Sequence, residues 1–544
     1  MQLILISMLV IAQRLRNESS DGKMLGRVFE GQASALDTFL AIALAVLFFA
    51  FLFIVRSYSR GLGKSPRELF LVLLVKFVEY SAFGLGILTF ALYLSHDVGL
   101  TDIGAGSYVG TWMVIVSALI ILVGAVCDVV GIRQTLLIGG IALLIGRFSL
   151  PALENPLLVS ILGFLPLAFG VAITGPVLLV AIKRFTTVSG AALAFGLYYT
   201  LMNLGFATGG WIFDFVRGVY GDYSLIAELP LIGGVSVYQF LIAIAFVITL
   251  PEIIIILLMR DNVEMTESGI RVFSRQASRA KTTLSQLKTK VAIVIMETGQ
   301  MLYLVTKEKR FWKFISALAI VTFIRIVSIH FLITFPTYGI RLFGDGAQVG
   351  NLYAILNPLI IVFLTPVFAA LTSRVSSYRM LLWGCTISAL SVWIATLSPD
   401  LFRPIINTGF GEFVFDRWLE LPQTQWEPYY LALIIFIAVF SIGEAIWAPR
   451  LMQFTAEIAP SDKEGSYIAL SYLPLFLGQF LAGPMSGLLL STYLPAEIST
   501  GYPDHHMVWV WIGLVGAITP LGMLIFGRIF RRAENDLKGD LNSA

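Results

Sequence analysis

The feature that most constrains this chain is a run of about twenty apolar residues, repeated along nearly its whole length. Each run, wound as a helix, spans roughly 30 Å of hydrocarbon. The first extends from about Ala35 to Val55 and ends in a basic patch of Arg56, Arg60, Lys64 and Arg67. Six follow at roughly 69–95, 106–127, 134–152, 156–182, 190–214 and 236–259. After a long polar stretch come six more, at roughly 311–336, 349–372, 379–397, 429–457, 466–491 and 507–530. Composition agrees: 57% hydrophobic, 13% charged and a mean hydropathy of +0.85 lie far from a soluble chain of 544 residues. The expected fold class is an all-α membrane protein of two six-helix bundles plus an extra N-terminal transmembrane helix.

Charge distribution gives an orientation. Basic residues gather at 56–67, at Arg133, at Lys183 and Arg184, through 260–310, at Arg374 and Arg379, and at Arg528, Arg531 and Arg532. These are alternate loops, so both ends of the twelve-helix core are expected in the cytoplasm. The opposite loop 398–428 carries Asp400, Glu412, Asp416, Glu420 and Glu427 against Arg403 and Arg417. The expected organisation is an N-terminal segment 1–34, an extra helix 35–57, a first bundle 69–260, a cytoplasmic linker 261–310, a second bundle 311–531 and a tail 532–544. Within the linker, VAIVIMETGQMLYLV (291–305) reads as an amphipathic or interfacial helix, because a further crossing would invert every later loop. The opening MQLILISMLVIA is either a cleaved signal or a short interfacial segment. Cys127 and Cys385 both lie in or beside apolar segments and imply no disulfide framework. A net charge of +3 gives no case for nucleic acid.

Ionisable groups inside hydrocarbon cost a few kcal/mol or more and call for a partner or a function. The first core segment holds Lys76 and Glu79 on one face, the third Arg147, and the fifth Asp214. The seventh holds Arg325 and His330, the tenth Glu444 and Arg450. Glu79, Arg325 and Glu444 fall near mid-helix. They are the candidates for proton coupling or substrate binding, with a carboxylate that takes a proton and a base that pairs with it. Arg147 and Asp214 lie nearer their outer ends, where snorkelling to water is easy, and read with Arg450 as structural. Lys76 and His330 read as packing or rim residues, Lys76 also as a pocket candidate.

Between the second and third core segments stands VGAVCDVVGIRQTLL (123–137), with Gly124, Asp128, Gly131 and Arg133 spaced G-x-x-x-D-x-x-G-x-R. The glycines permit a tight connection, and the acid and base can pair or engage a helix end. This loop resembles that of the major facilitator superfamily, secondary transporters in which the motif acts as a conformational gate. The segment PVFAALTSRVSSYRMLL (366–382) carries a decayed echo, with Ser373 near the acid's place. In that superfamily the first, fourth, seventh and tenth helices line a central cavity, which implies that Glu79, Arg325 and Glu444 share one aqueous pocket.

Two further stretches narrow the resemblance to proton-dependent oligopeptide transporters. In 443–487 stand Gly443, Glu444 and Pro449, then Ala459 and Pro460, then Tyr472 and Gln479; in FGLYYTLMNLGFATGG (195–210) stand Tyr198, Tyr199, Asn203 and Gly205. Pro449 can interrupt its helix beside the acid. The possible substrate pocket implied is Lys76, Tyr198, Tyr199, Asn203, Trp447, Tyr472 and Gln479. The chain departs from that family where it reads KFVEYSAFG (76–84) instead of E-x-x-E-R-F, and where FGVAITGPVLLVAI (169–182) lacks a lysine. Arg325 stands where the family has an acid, so the signs on the first and seventh helices are exchanged, which would keep a salt bridge between them with reversed polarity.

The expected function is therefore secondary active transport by alternating access, proton-coupled, carrying a small polar or zwitterionic solute such as a di- or tripeptide. An exporter of drugs, lipids or metabolites is the first alternative and a non-transporting sensor or assembly subunit the second, with the N-terminal helix as a docking element for a partner protein. Neither HExxH, GxSxG nor a phosphate-binding glycine loop occurs, so no enzyme and no cofactor are expected. Asp504, His505 and His506 lack a third ligand at metal-site spacing, so they read as a solvated loop and no metal is expected. The expected location is a multi-pass protein of the bacterial inner membrane.

Overall fold

Inside a bilayer the backbone must satisfy its own hydrogen bonds, which an uninterrupted helix does within one segment. Among the described residues, each apolar run of the twelve-helix core is answered with one. A computed structural model describes residues 62–222, 224–229, 233–260, 263–266, 269–272, 309–372, 375–458, 473–496 and 501–527, with five isolated positions at 296, 300, 303, 306 and 307. The expected segment 1–34, helix 35–57 and tail 532–544 lie outside these residues, as do Ser373, Arg374 and Tyr472. Met296, Gln300, Tyr303 and Thr306 are helical; the rest of the expected linker helix also lies outside.

The first six core helices are α1 (Arg67–His96), α2 (Asp102–Val130), α3 (Ile132–Ser149), α4 (Leu165–Arg184), α5 (Val188–Tyr220) and α6 (Val237–Leu257). The second six are α7 (Lys309–Ile333), α8 (Leu356–Leu371), α9 (Ser377–Ser391), α10 (Pro428–Ile458), α11 (Leu473–Tyr493) and α12 (Met507–Ile525). Short helical turns extend several of them, including Pro156–Leu158 and Val159–Phe164 before α4, Phe335–Phe343 after α7 and Asn351–Ile355 before α8. Among the described residues, 10 helices are long and apolar enough to cross a membrane. Two antiparallel hairpins, Leu225–Leu229 with Gly233–Ser236 and Val263–Thr266 with Gly269–Val272, flank α6.

Packing repeats from one half to the other. Helix α1 packs on α5 and α6, α3 on α4 and α6, and α2 on α4; the counterparts are α7 on α11 and α12, α9 on α10 and α12, and α8 on α10. Between the halves α2 meets α11, and α5 meets α8 and its leading turn. Two six-helix bundles related in this way are what an internal repeat produces. The α2–α11 contact depends on glycine. A Cβ on Gly106 would run into the carbonyl oxygen of Gly483, and one on Gly483 into that of Gly106. Around the outside, Ile141, Ile145 and Phe148 of α3 and Leu521, Leu524 and Ile525 of α12 are exposed, an apolar girdle suited to lipid.

One end of the molecule carries the basic loops. There Gly131 takes φ 93 to turn from α2 into α3, and Arg133 Nη2 donates to Leu257 O at 2.9 Å, a cation on the C-terminal end of α6. Arg67 Nη2 donates to Leu258 O at 3.1 Å, while Arg260 makes a two-pronged bond to Glu68 at 2.6 and 2.8 Å. The Glu68 carboxylate holds the Arg260 guanidinium above its ordinary range. These bonds fasten α1, α3 and α6 together inside the first bundle.

At the opposite end the bonds cross between bundles. Arg341 donates to both carboxylate oxygens of Asp102 at 2.7 Å and to Leu494 O at 2.7 Å. Arg217, fully buried, grips Asp222 through Nε and Nη2 and reaches Asp214 at 3.3 Å and Ala347 O at 3.0 Å. Asp222 accepts from Gly346 N, and Asp214 from the backbone N–H groups of Gly350 and Asn351 at 2.9 and 2.6 Å. Asp214 therefore does not snorkel; it is a buried acceptor at the α5–α8 contact, 2% exposed.

Candidate functional site

Glu444 sits mid-way along α10, five residues before Pro449, which removes a backbone donor and leaves the Ala445 carbonyl without its helical partner. Its Oε2 accepts from Asn357 Nδ2 at 2.9 Å, and the same amide donates to Ser441 Oγ at 2.9 Å. Asn357 on α8 thus orients the carboxylate. Glu444 and Arg325 are both partly exposed, whereas Lys76, Glu79, Arg147, Asp214 and Glu252 on other helices are buried. The Arg325 guanidinium lies 5.9 Å from the Trp447 ring, within cation–π reach, and in electrostatic range of Glu444. Trp447 is 1% exposed and donates Nε1 to Ser388 Oγ at 3.2 Å, anchoring α10 to α9. Tyr199 from α5 and Tyr353 from the turn before α8 also lie in electrostatic range of Glu444. Tyr353 stacks on Phe331 of α7 at 4.4 Å.

The candidates divide into two groups. Glu444, Arg325, Trp447 and Tyr199 come together at this centre, with Asn203 holding its own helix through a bond from Nδ2 to Tyr199 O at 2.8 Å. Glu79 does not join them, and the exchanged salt bridge to Arg325 is not formed. Its cation is Lys76 on its own helix, at 3.8 Å, with both side chains 2% exposed. One turn of helix places the two on one face, so a local partner takes the acid before a distant one can. Lys76 is no rim residue: its Nζ lies 3.4 Å above the Tyr80 ring and 4.9 Å from that of Tyr198. Of the three charges expected to share one pocket, Glu444 and Arg325 lie near each other and Glu79 lies apart with Lys76.

Gln479 accepts from Ser117 Oγ at 2.9 Å, which makes it a tie between α11 and α2. Gly124 and Asp128 belong to the final turns of the α2 backbone, and Gly131 and Arg133 open α3. Arg147 turns inward, 3% exposed, with Nη1 donating to Thr249 Oγ1, so the expected snorkelling fails here too. Arg450 donates to Thr372 O at 2.9 Å. His330 is fully buried, with Nδ1 2.6 Å from Thr334 Oγ1, which in turn donates to Ser486 Oγ.

The loop is solvated at Asp504, while His505 is half-buried: Nδ1 lies 2.8 Å from Tyr338 Oη, the ring sits against Tyr429, and burial pushes the imidazole down to about 4. Among the described residues no group of three or more His, Cys, Asp or Glu stands ready for a metal.

Several residues escaped the sequence reading. Glu252, Asn357, Tyr353, Arg217, Asp222, Arg341 and Asp102 all hold positions described above or below. Only Glu252 left a clear signal, as the one charge in the α6 segment VYQFLIAIAFVITLPEIIIIL.

The Major Facilitator Superfamily profile matches residues 72–415. The chain belongs to the major facilitator superfamily. A curated relative, multidrug resistance protein MdtH of Yersinia enterocolitica, is 25% identical over 219 residues, 40% of this chain. That match covers 45% of the relative's own length, less than half. Among solved structures, this facilitator is similar to a POT family transporter in complex with 5-aminolevulinic acid, at TM-score 0.59 and 16% identity over 85% of this chain and 97% of that one. A peptide transporter POT in complex with sulfate matches at TM-score 0.59 and 16% identity, over 86% and 95%. A bacterial homologue of the human drug peptide transporters PepT1 and PepT2 matches at TM-score 0.55 and 16% identity, over 88% and 99%. At such identities the likeness is one of fold. The superfamily match, together with 10 described helices long and apolar enough to cross a membrane, makes this facilitator an integral, multi-pass membrane protein.

Proposed function

We propose that the chain is a secondary transporter working by alternating access, with proton-coupled symport of a small polar or zwitterionic solute such as a di- or tripeptide. The observation that carries this reading is Glu444, a partly exposed carboxylate at mid-helix, held by Asn357 and facing Arg325 where the two bundles meet. A carboxylate in that position exchanges a proton with water in the cleft, and its charge changes what Arg325 can bind. With the acid ionised, its negative charge offsets that of the nearby guanidinium. With the acid protonated, the guanidinium is free to take a carboxylate from the solute, and the partly exposed Tyr199 ring offers an apolar and cation-binding face, while Trp447 and Tyr353 stay buried in the packing.

The two clasps support alternating access. Arg341–Asp102 and the Arg217 network hold the bundles together at the end away from the basic loops. The positive-inside bias puts the basic end in the cytoplasm, so the described conformer would be the one shut on the outer side of a bacterial inner membrane. The similarity to solved POT transporters favours a peptide-like solute. The partial match to a multidrug resistance protein favours the second reading, an exporter of amphiphiles from the same centre.

The test is purified protein in proteoliposomes, with di- and tripeptides and lipophilic cations offered under an imposed proton gradient. Uphill accumulation of a peptide that Glu444→Gln loses is the expected result. Movement of lipophilic cations against the gradient and not of peptides would favour export, and movement of nothing would favour a sensor.

A further inference from the structure

Within the first bundle, α6 carries a single acid, Glu252, and nothing in the Glu444 centre uses it. Its side chain is fully buried, and neither carboxyl oxygen has a hydrogen-bond partner. The charged groups around it are all accounted for. From α1, Lys76 and Glu79 face each other at 3.8 Å, with the ammonium also above the Tyr80 ring. From α3, Arg147 donates to Thr249 Oγ1, and Gly140 leaves room, since a Cβ there would lie 3.8 Å from Glu252 Oε1. From α5 comes Tyr198, beside Lys76; α4 brings only Lys183 and Arg184, in its last turn. Lys76, Arg147 and Glu79 all act electrostatically on Glu252, yet none donates a hydrogen bond to it.

An ionised carboxylate buried with no donor costs several kcal/mol, whereas the neutral acid loses only the smaller penalty of an unpaired hydroxyl and carbonyl. We propose that Glu252 binds a proton, giving this chain a second proton-binding site inside the first bundle, separate from Glu444. An O–H bond forms on one carboxyl oxygen as an O–H bond of a hydronium ion breaks, leaving a water molecule. The residue lies five positions before Leu257, the last of α6, on the order of 7 Å of helix rise from the basic end. Proton access is therefore from that end. Binding leaves the cluster with two cations and one anion. Release is favoured when the Arg147 guanidinium swings from Thr249 to the carboxylate one helical turn further along α6. Proton binding here stands without the transport reading; its coupling to solute movement rests on it.

The experiment is infrared difference spectroscopy of the purified full-length protein in lipid, following the C=O stretch of protonated carboxyls as pH is raised. Wild type is expected to show a protonated-carboxyl band at neutral pH that Glu252→Gln loses and that Glu444→Gln and Glu79→Gln keep. Because glutamine mimics the neutral acid, Glu252→Gln is also expected to melt at the wild-type temperature at neutral pH. No band difference, with a Glu252→Gln protein that melts early or fails to fold and is rescued by adding Arg147→Met, would overturn the proposal and make Glu252 an ionised partner of Arg147. A protein that moves no solute but keeps the band loses the transport reading and keeps this one.

Discussion

In the first bundle Lys76 and Glu79 are each 2% exposed and face one another, whereas in the second Arg325 and Glu444 retain open surface. Both groups set an acid near a base in the middle of a membrane protein, the first as an ion pair at 3.8 Å and the second within electrostatic range only. The first is closed by a partner one helical turn away and by aromatic rings; the second is shared between α7, α8 and α10, so its geometry depends on how those helices sit. A pair within one helix orders that helix whatever the rest of the molecule does. A pair between helices changes when the helices move, and only such a pair can couple a proton to a conformational step.

The largest effect should come from breaking the sealed pair. Lys76→Met leaves Glu79 buried without its cation and is expected to cost about 3–5 kcal/mol of stability. Lys76→Met with Glu79→Leu should recover most of it, read as a double-mutant cycle of unfolding in detergent. A Lys76→Met protein as stable as wild type would mean the first pair is not sealed at all.

Next comes the clasp that decides which end of the cleft is open. Arg217→Gln strips Asp214 and Asp222 of their buried cation and is expected to weaken the inter-bundle contact by about 2–5 kcal/mol. Spin-label distances across the α5–α8 contact should lengthen in part of the population, with no change inside either bundle.

A smaller change is expected at the open pair. Glu444→Gln should leave the fold intact and reduce uphill uptake by roughly 5–150-fold, the range of an ordinary coupling free energy. Retained exchange of solute across the membrane without a gradient would separate lost coupling from lost binding.

The smallest effect belongs to His505. Its pKa is lowered from 6.5 to about 4, so the unfolded chain takes up a proton in that window while the folded one does not. Stability should therefore fall as pH drops from about 6.5 towards 4 and be unaffected above it; His505→Gln should flatten that slope in a melting-temperature titration.

Legibility followed the range of each interaction. The segment expected at 69–95 is helix Arg67–His96 and that at 429–457 is Pro428–Ile458, because a run of apolar residues carries its own reason to be helical. Gly131 reads in the sequence as a glycine that permits a tight connection, and the connection it makes uses φ 93. The partner of Glu79 was misread, since a lysine three residues away was weighed less than an arginine on another helix. Asn357 was missed: a neutral amide in an apolar run signals little until a carboxylate is placed beside it.

The order of apolar runs, their lengths and the alternation of basic loops were enough to settle an all-helical membrane chain in two halves, because each depends on residues close in sequence and on the surrounding lipid. Only the tertiary structure decided which charges meet. Arg217 and Gly350, Arg341 and Asp102, and Asn357 and Glu444 come together through helix packing, and side chains that far apart in sequence have no local reason to find one another.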